Sequence, residues 1–188
     1  MSIVVAVRKG RRIVMAADTL TTSGTHRHGP HNTETHKIRK VGRCLLGATG
    51  WSLYDNILDD YLAARGTPNL NTSRGIFRFF VRFWQDLHKK YNFVNDQPPE
   101  KDSPFGDIDA SFLVANRQGI FSVFSNLSVM PLKKYAAIGG GADYALGALF
   151  TQYESERDPA KIALHAVHTA IEFDVHCGGE AETFEIKT

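Results

Sequence analysis

The order in which hydrophobic periodicity changes along the chain limits its possible folds more than any other feature. Short runs rich in β-branched residues come first, then two segments of helical spacing, then short runs again, a second helical pair and a closing run. Residues 3–7 and 12–17 flank Lys9-Gly10-Arg11 and read as a hairpin that begins almost at the first residue. A polar, Thr- and His-rich loop is expected over 19–36, and a second hairpin over 37–41 and 43–48 with Gly42 at its turn. The spacing predicts helices over 51–64 and 73–91, ahead of a proline-bearing loop over 95–107. Residues 111–115 and 120–124 form another hairpin, and 135–138 a strand running into Gly139-Gly140-Gly141. Helices over 143–153 and 159–173 and a strand over 183–187 complete the series. That order is α+β, with two sheets face to face and helix pairs outside, in one domain spanning 1–188.

Charge and cysteine usage narrow the function. A net charge of +2, from 22 basic and 20 acidic residues, gives no electrostatic footprint for nucleic acid or an anionic membrane. No apolar run is long enough to span a bilayer, and Arg8 and Lys9 follow the first apolar run where a signal peptide needs its charges in front. The two cysteines cannot build a disulfide framework, so the cytoplasm is the expected location.

The N-terminus carries the most chemistry. Removal of Met1, which a small second residue permits, would leave Ser2 with a hydroxyl and an α-amine on one residue. Such an amine has a pKa of about 7.7–8.0 and can serve as the base for its own hydroxyl. Sixteen residues on, Asp18 closes an apolar strand, an odd place for a solvated charge. Lys37 begins Lys37-Ile38-Arg39-Lys40-Val41, and Gly47-Ala48-Thr49-Gly50 ends the following strand.

This ordered set resembles the proteasome β-subunit and HslV-like family of N-terminal-nucleophile hydrolases, and among them the bacterial proteasome homologues. Aligning Ser2 with that family's nucleophilic threonine brings Asp18 onto the family aspartate without a gap, and Lys37 onto the catalytic lysine after a slightly longer loop. The resemblance implies that the Gly47 amide serves as oxyanion donor and that Thr22 pairs with substrate through its backbone. The segment Phe173-Asp174-Val175-His176-Cys177-Gly178-Gly179 matches the family segment whose aspartate and serine orient the nucleophile's amine, which puts Asp174 and Cys177 in those roles. Thr21, Thr35, Leu45 and Thr49 are then expected to line a mid-sized, mostly uncharged pocket for the residue preceding the cleaved bond. The chain departs from the family at Ser2 in place of threonine, and at Gly140 and Cys177 in place of two serines.

The resemblance implies a four-layer αββα sandwich, assembled with copies of itself into stacked rings that enclose the active sites. The expected activity is hydrolysis of peptide bonds in peptide or unfolded-protein substrates. No cofactor is implied, and no ATP-binding motif is present, so degradation of folded proteins would need a separate ATP-dependent unfoldase. The alternatives are a catalytically silent ring protein and an amidase acting on a small molecule. His26, His28, His31 and His36 crowd one loop without a metal-ligand spacing and are read as solvated. Cys177 as a rival nucleophile lacks a base other than His176.

Overall fold

The computed structural model describes residues 2–91 and 108–187, so the loop expected over 95–107 lies outside the described residues. The first sheet has the order β10-β1-β2-β11, made of β1 (Ile3–Lys9), β2 (Arg12–Asp18), β10 (Tyr135–Gly139) and β11 (Ala181–Lys187). The second has the order β5-β6-β7-β8-β9, made of β5 (Ile38–Val41), β6 (Cys44–Gly50), β7 (Ala110–Asn116), β8 (Gly119–Val123) and β9 (Val129–Leu132). The pairings within each sheet are antiparallel. A small separate hairpin joins β3 (Thr21–Ser23) to β4 (His26–His28).

Helices α1 (Ser52–Arg65) and α2 (Ser73–Lys90) cover the second sheet, and α3 (Ala142–Gln152) and α4 (Pro159–Phe173) cover the first. Both longer helices have a side-chain cap. Thr72 accepts the Gly75 amide at 3.1 Å at the start of α2, and Asp158 accepts the Ala160 amide at 3.2 Å ahead of Pro159 in α4.

Each central strand is buried on both faces, which is why it reads as a continuous apolar run. In β1, Ile3, Val5 and Val7 pack against α3 and α4, while Val4 and Ala6 face the second sheet. The inter-sheet layer adds Ile13, Met15 and Ala17 from β2 and Leu45, Leu113 and Ala115 from the second sheet. Outside it, Leu46, Phe112 and Val114 pack under α1 and α2. Helices, sheet, sheet and helices make the four-layer αββα sandwich.

The aromatic residues of α2 are mostly spent on this packing. Phe80 lies 4.6 Å from Phe112 between ring centroids, and Phe79 and Phe83 meet Tyr61 edge-on at 5.6 and 5.3 Å. Phe77 remains half exposed, but the larger exposed apolar residues stand elsewhere, at Phe150 on α3, Phe173 at the end of α4, and Val175.

Three strands lie where the sequence pattern places none. The β3–β4 hairpin falls inside the polar loop, because Thr, Ser and His on both of its faces leave no alternation to read. β9 contains Pro131, which breaks the strand signal but is tolerated because β9 is the edge of its sheet. Among the described residues no helix is long and apolar enough to cross a membrane.

Candidate active site

The stacking of the two sheets brings Asp18, at the end of β2 in the first, against Lys37, directly before β5 in the second. Both side chains are buried, Asp18 with no exposed area. A buried ion pair persists only when its remaining donors and acceptors are satisfied. Here they are. Asp18 Oδ1 accepts the Lys37 ammonium at 2.5 Å and the Ile3 amide at 2.9 Å, and Oδ2 accepts the Gly178 amide at 3.0 Å. Lys37 Nζ makes a second bond to the Leu20 carbonyl at 2.8 Å. One carboxylate thus ties the first peptide unit after Ser2 to the lysine and to the turn after α4.

Ser2 precedes β1 and is nearly buried. Ile3 pairs with Gly139 of β10, which holds φ at +105°, and a Cβ there would fall on the Ser2 carbonyl oxygen. Only glycine fits that backbone and that approach. Gly139→Ala is therefore expected to cost about 1–3 kcal/mol in strained backbone alone, read by urea unfolding, and to displace the start of β1 from Asp18.

A cavity of about 470 Å³ opens beside Ser2 and Lys37. Thr21, Thr35 and Thr49, which the resemblance implies for the pocket, line it, together with Leu20, Thr22, Gly24, Ala48 and Gly50. Leu45 does not belong to it. Side chains alternate along β6, and Leu45 lies in the layer between the sheets with Val4 and Leu113. Gly47 is also inside the sandwich: a Cβ there would come 2.6 Å from Val4 Cγ1 and 3.0 Å from Met15 Sδ. The Ala48 amide donates to the Lys37 carbonyl on the β5 side at 3.0 Å, so the Gly47 amide faces β7, where Gly47 pairs with Leu113. The cavity meets β6 only at its end, which corrects the expectation that the Gly47 amide faces substrate.

The cavity also holds residues that the sequence motifs do not single out: Trp51, Ser52, Asp55 and Asp109. Ser52, Asp55 and Asp59 follow one another at i, i+3 and i+7 on the polar side of α1, opposite Ile57, Leu58 and Tyr61, and that spacing is the available signal. Asp55 pairs with Arg39 at 3.0 Å, and Arg39 also binds Asp59. Burial, only partly offset by Arg39, pushes the Asp55 carboxyl up from its usual range. The pocket is not mostly uncharged, as expected, but carries two carboxylates besides the Lys37 ammonium.

Cys177 lies against Gly141, whose absent side chain would come 2.8 Å from its Sγ. Burial first, then the neighbouring Asp18 and Asp174, push its thiol up to about 12. A thiol that far above neutral pH supplies almost no thiolate. Iodoacetamide at about pH 8 should accordingly leave Cys177 unmodified in the folded chain and alkylate it only after denaturation, an outcome read by intact mass. Asp174 Oδ1 accepts the His176 amide at 2.8 Å and lies 3.1 Å from the His176 ring nitrogen, so that oxygen is engaged within the turn after α4. In the loop that holds the other histidines, His36 meets Glu182 at 3.2 Å. Among the described residues no three His, Cys, Asp or Glu side chains converge to hold a metal.

Comparison with known proteins agrees with this fold, although no protein-family model matches the chain. The ATP-dependent protease subunit HslV of Caldicellulosiruptor saccharolyticus is 27% identical over 187 residues, covering 97% of each chain. The structure of Thiobacillus denitrificans BPH superposes with a TM-score of 0.90 at 30% identity, over 98% of this chain and 97% of that one. The same protein in complex with epoxomicin gives a TM-score of 0.88 at 30% identity, over 98% of both chains. Eukaryotic HslV from Trypanosoma brucei, at 15% identity, shares the fold with a TM-score of 0.71 over 99% of both chains. With its four-layer sandwich and a relative of this identity matched nearly end to end, the chain belongs to the HslV-like proteasome β-subunit family.

Proposed function

We propose that the chain is a subunit of a self-compartmentalised bacterial protease whose nucleophile is Ser2, exposed when Met1 is removed. The observation that carries this reading is the clasp of Asp18 on both the Ile3 amide and the Lys37 ammonium, at the wall of a cavity that Ser2 lines. Ser2 Oγ attacks a peptide carbonyl while its own α-amine, through a water, takes the hydroxyl proton. The Lys37 ammonium disfavours a second positive charge nearby, keeping the amine neutral, and Asp18 fixes the lysine in place. The amine then returns the proton to the leaving peptide amine. Water enters, gives a proton to the same amine, and releases the acyl group as a carboxylic acid, restoring Ser2.

The carbonyl oxygen gathers negative charge in the transition state and needs backbone donors aimed at it. Alternation turns the Thr49 amide to β7 as it does that of Gly47, so the amides of Gly50, at the end of β6, and Trp51, just after it, are proposed for the role that the resemblance implies for Gly47. Cys177 and Asp174 are proposed to orient the Ser2 amine from the turn after α4, Cys177 as a neutral thiol. Thr21 and Thr22 are proposed to pair with an extended substrate backbone.

Assembly into stacked rings of identical subunits fits the exposed Phe150, Phe173 and Val175, and a separate ATP-dependent unfoldase would deliver folded substrates. The test is covalent labelling of Ser2-exposed protein by epoxomicin or a peptide vinyl sulfone, with the adduct mapped by mass spectrometry. An adduct on Ser2 supports the reading. Labelling elsewhere, or none on folded protein with a free Ser2 amine, counts against it.

A further inference from the structure

The cavity beside Ser2 contains two carboxylates that the hydrolytic steps do not use. Asp109, directly before β7, accepts the Trp51 indole N–H at 2.5 Å, and Trp51 is 67% exposed with its ring at the cavity rim. Asp55 enters from the first turn of α1, where Arg39 binds both it and Asp59, so one guanidinium serves two carboxylates. Lys37 is the lining cation, and its charge is taken up by Asp18 and the Leu20 carbonyl. The remaining walls are threonines, serines, glycines, Ala48 and Leu20, which are neutral. A side chain entering the cavity therefore meets a negative potential and an exposed indole ring.

A purely structural explanation covers only half of this. Asp55 stabilises the N-terminal turn of α1 and answers Arg39. Asp109 is explained by neither: it is exposed, it faces an exposed indole, and among the described residues no cation pairs with it. A carboxylate bonded to the N–H edge of an exposed indole is a pairing suited to an ammonium or guanidinium group, which the carboxylate draws by its charge and the ring by its π system.

We propose that Asp55, Asp109 and Trp51 select a basic residue, lysine or arginine, immediately before the cleaved bond. This rests on Ser2 being the nucleophile, because only then does the cavity receive that side chain. A site built to pair a charge rejects analogues that lack it, since its own groups are left unpaired.

The experiment compares hydrolysis of fluorogenic tripeptide amides that end in Arg, Leu or Glu by the full chain with Ser2 exposed. The Arg peptide is expected to exceed the Leu peptide in kcat/KM by about tenfold or more, with the Glu peptide poorest. Asp109→Asn should lower the Arg-to-Leu ratio severalfold, and Asp109→Lys should turn the preference towards Glu. Asp109 is exposed, so these variants keep the fold where Asp55→Asn would release Arg39. Hydrolysis that favours Leu, or a ratio unmoved in both variants, overturns the specificity while leaving the nucleophile assignment intact. No hydrolysis of any of the three peptides, with no covalent label on Ser2, overturns both.

Discussion

Lys37→Ala is expected to extinguish peptide hydrolysis and to weaken the fold at once. The lysine meets a carboxylate with no exposed area, and removing it leaves Asp18 charged with only the Ile3 and Gly178 amides as partners. Breaking a buried ion pair from one side typically costs about 3–5 kcal/mol, because the surviving charge is uncompensated. The effect on catalysis is separate. Without the ammonium more of the Ser2 amine stays protonated and cannot take the hydroxyl proton, which should lower turnover by roughly 10²–10⁴.

A second variant separates the two effects. Asp18→Asn combined with Lys37→Met removes both charges while keeping a side-chain oxygen for a backbone amide. It should recover much of the lost stability in urea and none of the activity. A folded Lys37→Ala chain that labels fully with a peptide vinyl sulfone would sink the lysine's assignment.

The second large effect concerns Met1. A chain that keeps Met1 has an amide where the mechanism requires a free amine, so it should be inert even though its fold is unchanged. Ser2→Ala should be inert for the complementary reason, with the amine present and the hydroxyl gone. Turnover is expected to fall by roughly 10³-fold or more in each, as loss of a nucleophile or its base generally does. Ser2→Thr preserves both groups and should keep activity. Ser2 is nearly buried at the start of β1, so trimming must compete with folding. Co-expression with excess methionine aminopeptidase, or release of Ser2 from a fusion, should therefore raise the Met1-free fraction and probe labelling in proportion. Equal labelling of Met1-retaining and Met1-free protein would show that the chemistry lies elsewhere. Labelling that follows Cys177 would show the same, against a thiol held near 12 by burial and two carboxylates.

The sequence itself contains the element order and the termini of the two central functional strands. Alternation and helical spacing are local properties, so β1, β2, β5, β6 and all four helices are legible within a few residues of their observed bounds. Asp18 and Lys37 are legible for a related reason: a charge at the end of an apolar strand has nowhere to go but to a partner. The proposal for Ser2 rests on its position in the chain.

Tertiary structure decides which side of each strand meets what. β6 is buried on both faces, so nothing in its composition separates the side towards α1 and α2 from the side towards β1. Composition therefore offers no check on the resemblance, which points Leu45 and Gly47 towards substrate when they fill the layer between the sheets. Asp55 and Asp109 stand 54 positions apart and are brought to one cavity by the β6–β7 pairing, which joins Gly50 to Ala110. The charge of a pocket is a sum over residues from distant segments. Sequence supplies each term, and only the packing of β6 against β7 and β1 fixes which of them share one cavity.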